Sequence, residues 1–444
     1  MKNLKYATLI VVFLFSGCSR FLDEKSDSAL AIPVTLEDNQ ALLDRYLMLG
    51  LNPTSGEVSA GDVYVTDADF NAIAAEQNKR LYTWQPDYVS ISSGNDWENC
   101  YSKINVFNNV LFNIDHYDIA GADNVKGQAL LFRAAAYLDA AQLWCLVYDK
   151  NTAQSKMGLP LRLNPDMNIP SVRSTLKETY EQILKDLHEA SSLLPVTQMF
   201  KTRPSKGTAL AYLCRTYLYM GDYENALTYG NQALSVSNEL LNYNNLNPSA
   251  AFPIPELNVE VLMPSSMGYS PFFTSSKAKI SMPLYNSYES NDLRKSIFFR
   301  TNASGEILFK GNYSGSTGRM TCIATDEIYL SVAECYAQLN EVSNAMHWLN
   351  QLLINRWKQG TYVIKTASDK EEALQFIRLE RRKELVFRSL RWADIKRYNR
   401  EGASISLSRT VNGQIFNLPA NDLRFAIAIP EDIIQMTGMP QNER

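Results

Sequence analysis

Three histidines in 444 residues, His116, His188 and His347, are all that this chain offers to imidazole chemistry, and they stand far apart. None belongs to an HExxH helix or another paired-ligand spacing, which removes the familiar zinc-hydrolase and His-metal motifs. Cysteine is thin as well: six in all, none in a CxxC pair. Cys18 belongs to the N-terminal signal described below, and the odd five that remain (Cys100, Cys145, Cys214, Cys322, Cys335) argue against a disulfide framework or zinc site. Four of them sit in apolar, helix-like stretches, where a free thiol packs as a small hydrophobe. A basic surplus is also missing, with 43 Lys and Arg against 47 Asp and Glu. Removing residues 1–17 takes away Lys2 and Lys5 and leaves a net charge of −6. With no basic cluster, the chain does not read as a nucleic-acid binder. Gly311 to Gly318 is rich in Gly and Ser but lacks the Gly-Lys-Ser/Thr ending of a phosphate loop. Ser174-x-x-Lys177 has none of the partner motifs of a penicillin-binding nucleophile and reads as a helix cap. The sequence therefore presents no catalytic residues, no metal ligands and no cofactor motif. Paired catalytic carboxylates are beyond this reading, because their separation is spatial.

What is present begins at the N-terminus. Lys2 and Lys5 precede an almost unbroken apolar run from Tyr6 to Phe15, followed by Ser16, Gly17 and Cys18. The run is too short to span a bilayer and reads as a secretory signal over residues 1–17. Leu14-Phe15-Ser16-Gly17-Cys18 resembles the lipobox of bacterial lipoproteins, in which the Cys sulfur is lipidated and the signal is cut before it. Several acyl chains there give durable anchoring. Residues 18–30 are polar and predict a flexible tether.

The rest is dominated by helical periodicity. Glu98 to Asp115 places Tyr101, Ile104, Phe107 or Asn108, and Leu111 on one face. An alanine-rich helix runs from Val125 to Val147. Thr175 with Glu178 forms a capping box that opens a helix with Tyr180, Ile183, Leu184, Leu187 and Ala190 as its apolar face. Within Gly207–Ser237, the spacing of Leu210, Leu213, Cys214, Tyr217, Gly221, Tyr223, Ala226 and Ala233 is that of a tetratricopeptide repeat. The pattern recurs over Asp326–Leu353, and Gly127–Tyr137 with the Thr175–Leu194 helix reads as a third, interrupted copy. The expectation is a mainly α fold, a single domain over 31–444, with tetratricopeptide-like helices near 127–194, 207–237 and 326–353. Two stretches break the pattern, Gly50–Asn95 and Asn238–Arg319, both irregular and rich in aromatics. Irregular segments of this length inside a domain are commonly functional.

Several short patterns, in order, resemble the SusD/RagB family of outer-membrane nutrient-binding lipoproteins. They begin with Phe21-Leu22-Asp23 behind Cys18, then Trp97 with Tyr101, Ile104 and Asn108, Arg133-Ala134-Ala135-Ala136-Tyr137, and Gly158-Leu159-Pro160-Leu161. Asp292-Leu293-Arg294, Ala333-Glu334, Leu349-Asn350, Asn355-Arg356, Glu380 to Leu385, Arg391-Trp392-Ala393-Asp394, Ile429-Pro430 and Gln441-Asn442 follow. One departure is Arg388-Ser389, where the family usually shows a Glu-Gly-like pair. The resemblance implies an α/α superhelix of four tetratricopeptide-like units with an irregular ligand-binding face. It also implies lipid anchoring in the outer membrane, facing the exterior. A further implication is a SusC-like TonB-dependent β-barrel transporter as partner, to which an oligosaccharide or peptide ligand is delivered.

Sugar rings present apolar C–H faces to aromatics and hydroxyls to polar groups, so candidate ligand contacts are loop aromatics beside polar residues. Tyr82, Trp84 and Tyr88, with Asp67 and Asp69 nearby, fit in the first irregular stretch; Tyr269, Phe272, Phe273, Tyr285 and Tyr313 are available in the second. Each has a plainer alternative, packing its loop onto the helices. Trp97, Trp144, Trp348 and Trp392 fall in helical register and are assigned to the core. The dense charges from Arg378 to Arg391 read as structural, through Glu380 with Lys383 and Glu384 with Arg388. A transporter-associated binding protein is the main expectation. A tetratricopeptide scaffold that binds only proteins and a surface glycoside hydrolase are the rivals, distinguished by the aromatic insertions and by product formation.

Overall fold

The computed structural model describes residues 32–274 and 276–444. The signal segment, the lipidation candidate Cys18 and the 18–30 tether lie outside the described residues. Nine helices of ten residues or more occur among the described residues: α1 (Asp96–His116), α2 (Asp123–Trp144), α3 (Leu176–Leu193), α4 (Lys206–Met220), α5 (Tyr223–Val236), α6 (Thr325–Gln338), α7 (Val342–Leu353), α8 (Lys370–Glu384) and α9 (Arg391–Arg400). Each of α1 to α6 packs on its successor, and α6 also receives α8, which makes one continuous helical stack. The architecture is mainly α and repeat-like, as the periodicity predicts. None of these helices is long and apolar enough to cross a membrane.

Local chemistry sets the helix ends. Thr175 forms the expected reciprocal box with Glu178 at the start of α3. Ser174 donates its hydroxyl to the Leu159 carbonyl at 2.8 Å, a structural role. Gly221 closes α4 with φ +81°, a left-handed conformation that glycine adopts without steric cost, and Asp222 then caps α5. Small residues permit the close stacking: a Cβ on Gly230 of α5 would lie 2.6 Å from Val332 of α6 and 3.1 Å from the Cys214 sulfur of α4. α2, flanked by α1 and α3, is buried on almost every face.

Buried bidentate pairs lock the joints of the stack. Arg133 of α2 holds Asp186 of α3 at 2.7 and 2.8 Å, Arg215 of α4 holds Glu327 of α6, and Arg397 of α9 holds both oxygens of Glu334 of α6 at 2.7 Å. The charges between Arg378 and Arg391 belong to the same interior. Glu380 does pair with Lys383, at 3.0 Å, but Glu384 reaches Arg294 and Arg356 instead of Arg388. The reason is that α8 ends at Glu384, so Arg388 is no longer one helical turn away and pairs with Asp326. Ser389, at the departure from the family pattern, has φ +60°, a conformation in which glycine is unstrained.

The two irregular stretches carry short elements of their own. Helices Ser55–Ser59, Asp67–Asn71 and Glu76–Tyr82 occupy the first. Strands Val63–Tyr64, Lys279–Ile280, Ile307–Phe309 and Phe299–Thr301, in that order, join both stretches in one antiparallel sheet. Strands of two or three residues are too short to show an alternating pattern, which is why the sequence leaves them unmarked.

Candidate functional site

The candidate site is the surface made where the two irregular stretches meet. Tyr82 stacks on Phe272 at 5.0 Å and 10°, and Asp69 accepts from the Lys279 ammonium at 2.6 Å, so the stretches are joined by rings and by an ion pair. Lys279 and Thr66 hold the Asp69 carboxyl below its ordinary value against the opposing effect of burial. The nominated aromatics fall into two groups.

Five of them are interior: Tyr82, Trp84, Phe272, Phe273 and Tyr313. Tyr82 and Trp84 are buried and face the Arg409 guanidinium, which lies 3.8 Å from the Tyr82 ring centre and 4.6 Å from that of Trp84. Arg409 also donates to the carbonyls of Tyr82 and Val58. The Trp84 indole N–H donates to the Ser59 carbonyl at 3.1 Å. Tyr313 is 3% exposed, and its hydroxyl donates to Glu260 at 2.7 Å, inside the charge network that also contains Arg356 and Asp326. These rings fix the loops onto the body, the plainer of the two alternatives for a loop aromatic. The acids are engaged in joints as well: Asp67 accepts from the Asn412 amide at 2.8 Å, across to the Leu407–Leu418 hairpin. Tyr285 is half-buried, packs edge-on against Phe299 and carries the Lys295 ammonium 4.9 Å over its ring.

Two rings reach solvent, Tyr88 at 55% and Tyr269 at 81% exposure. Both stand on braced backbone. Tyr88 has φ +48°, and its amide donates to Glu431. Its neighbour Asp87 is bonded to Arg80, whose Nε donates to the Asp87 carbonyl at 2.9 Å. Tyr269 follows Gly268, whose amide donates to the Asn52 carbonyl at 2.9 Å, and precedes Phe272 and Phe273 in the core. Arg319 clamps the same loop, donating to the Phe273 carbonyl at 2.8 Å while lying 4.3 Å over the Phe387 ring. An exposed ring held on rigid backbone loses little entropy on contact with a flat apolar ligand face. Arg409, Lys279 and Arg319 were missed by sequence reasoning, since single basic residues far away in the chain carry no local signal. Among the described residues no group of three or more His, Cys, Asp or Glu is placed to hold a metal ion.

Comparison with known proteins fits this architecture. A family model described as starch-binding associating with outer membrane matches residues 20–218, and a second, described as the SusD family, matches residues 309–433. A SusD-like protein of Formosa agariphila is 26% identical, covering 89% of this chain and 91% of its own. Among solved structures, a SusD superfamily protein of Bacteroides thetaiotaomicron superposes with a TM-score of 0.75 at 22% identity, over 93% of this chain and all of the other. A SusD-like carbohydrate binding protein of Bacteroides vulgatus gives 0.68 at 20% identity, over 91% of this chain and 97% of its own. With both halves of its helical stack matched, in order, the chain belongs to the SusD/RagB family.

Proposed function

We propose that the protein is a lipid-anchored surface protein of the outer membrane that captures an oligosaccharide and delivers it to a SusC-like TonB-dependent β-barrel transporter. Cys18 carries the lipid, and the 18–30 segment is the tether that keeps the binding surface at high effective concentration beside the pore. The matched family's description, starch-binding associating with outer membrane, supports both the ligand class and the location. The observation that carries the reading is Tyr269: a ring 81% exposed, on a loop fastened at both sides, at the seam of the two irregular stretches. Tyr88 supplies a second platform with polar neighbours. A ring that packs a loop is buried; this one is displayed.

The test is calorimetric titration of the chain from Ser19 onward with panels of oligosaccharides and peptides, followed by analysis of the mixtures for cleavage products. Saturable oligosaccharide binding without product is expected, with Tyr269→Ala weakening it tenfold or more and leaving the unfolding midpoint unchanged. Binding of peptides alone moves the ligand class. Release of product makes the protein a hydrolase, and the proposal is then wrong.

A further inference from the structure

An open concavity lies away from the candidate loops, between α1, α2, α3 and the loop that follows Arg162. Its volume is about 530 Å³. That is within the range of small-molecule sites, roughly 300–1,000 Å³.

The floor is polar and locked. Arg133 and Asp186, both almost fully buried, meet there in their bidentate pair. Gln182 donates to the same Asp186 carboxylate at 2.8 Å, and Arg133 donates its remaining nitrogen to Asn108 at 2.9 Å. These groups orient one another, so an incoming molecule finds fixed acceptors and donors that need little reorganisation.

One wall is aromatic. Phe112 lies parallel to His116, with ring centres 5.0 Å apart and 14° between planes, and remains 42% exposed. Core packing of α1 uses other positions, among them Ile104 and Phe107. Phe112 therefore forms part of a flat apolar surface that the fold itself leaves open. Leu163 and Pro165 also line the groove. Their loop is pinned because the Arg162 carbonyl accepts from Asn108 at 2.8 Å and from the Tyr137 hydroxyl at 2.6 Å.

The charges decide the ligand class. Lys126 at the rim lies 3.8 Å from Asp115 and 3.4 Å from Glu189, and Arg133 is neutralised by Asp186. The lining thus holds three acids, Asp115, Asp186 and Glu189, against three bases, Lys126, Arg133 and Lys185. A balanced lining gives no field to attract a polyanion or polycation. What it offers is an exposed stacking ring and an apolar loop together with buried hydrogen-bonding groups. Those features match a neutral pyranose, whose C–H face is apolar and whose edge is hydroxylated. We infer that this groove is a second, independent saccharide site that takes one or two neutral sugar rings, with a ring face on Phe112 and hydroxyls directed to Gln182, Lys185 and Asp186.

The test uses the chain from Ser19 onward, which retains every described residue, and three probes: maltose, cellobiose and N,N′-diacetylchitobiose. Dissociation constants are measured by saturation-transfer NMR for the parent and for Phe112→Ala, Gln182→Leu and Tyr269→Ala, each checked for an unchanged circular dichroism spectrum. At least one disaccharide is expected to bind at a site that Phe112→Ala and Gln182→Leu each weaken tenfold or more and Tyr269→Ala leaves within twofold. Binding lost only in Tyr269→Ala confirms the loop face and overturns the groove. Binding lost only in the groove variants does the reverse. No binding by any of the three probes, or binding that neither groove variant weakens, overturns the inference.

Discussion

Glu334 and Glu57 are both buried glutamates, 0% and 2% exposed, and their surroundings treat them in opposite ways. Glu334 belongs to α6 in the helical stack. Burial works against its charge, but Arg397 holds both its oxygens, with Arg378 and Arg381 nearby, and its carboxyl titrates below the usual value. Glu57 belongs to the first irregular stretch. Burial, and then the charge of Asp62, push it up to about 8, and only the Ser389 amide and the more distant Arg319 and Arg391 oppose the shift. At Glu334, stacked helices bring a buried acid and its base together in fixed register. At Glu57, a loop laid over that stack buries an acid whose one bonded partner is a backbone amide. Charge is thus a lock at Glu334 and a source of pH sensitivity at Glu57.

The sharpest way to break the first half of that contrast is Arg397→Met. It removes the bidentate partner of Glu334 and one of the two bases on Asp394, leaving Arg378 and Arg381 to them, and a loss of about 3 kcal/mol in urea unfolding is expected, the low end of the usual penalty for removing one partner of a buried pair. A cost near zero would mean that the pair is not structural. Next in size is Arg409→Met, which removes the cation between Tyr82 and Trp84 and the donors to two carbonyls. About 2 kcal/mol is expected. The loss should be local: hydrogen exchange quickens over residues 58–84 while α4 to α6 keep their protection, and uniform quickening would deny that the regions differ. A third effect, spread over several pH units, is read through pH. Glu334, with its folded value lowered, contributes stability that is present above 4.5 and lost as pH falls below it. Glu57, with its folded value raised from 4.5 to about 8, favours the fold at low pH and loses that contribution as pH rises through 8. Glu57→Gln should therefore gain on the parent between pH 5 and pH 8, by up to about 4 kcal/mol in the difference of unfolding free energies. Parallel pH profiles for the two proteins would remove Glu57 from the account.

The same division separates what the amino-acid sequence displays from what it conceals. Leu210, Tyr217, Gly221 and Ala226 repeat at spacings that only paired helices satisfy, and the Thr175–Glu178 box marks a helix start within four residues. Such signals are local, so the stack is legible. The fates of Tyr82, Trp84 and Tyr313 are not, because each is decided by a distant partner. Arg409 lies more than 300 residues beyond the first two, and Glu260 is 53 residues before Tyr313. An aromatic in a loop looks the same in sequence whether a guanidinium covers it or solvent does. The α1–α3 groove leaves one readable trace. Phe112 is a large apolar side chain out of register with the helix's buried face, and such a misfit on an otherwise amphipathic helix is worth a question in any sequence.

The five cysteines carry a last consequence. All are buried and unpaired, with burial raising the thiol of Cys145 to about 11 and that of Cys214 to about 12. Exchange and alkylation require an accessible thiolate, so neither proceeds while the interior stays shut. The chain thus contains its own opening clock. Alkylation rates resolved by peptide mass would time the separation of α1 at Cys100, α4 at Cys214 and α6 at Cys335 as three distinct events, or reveal that they open as one.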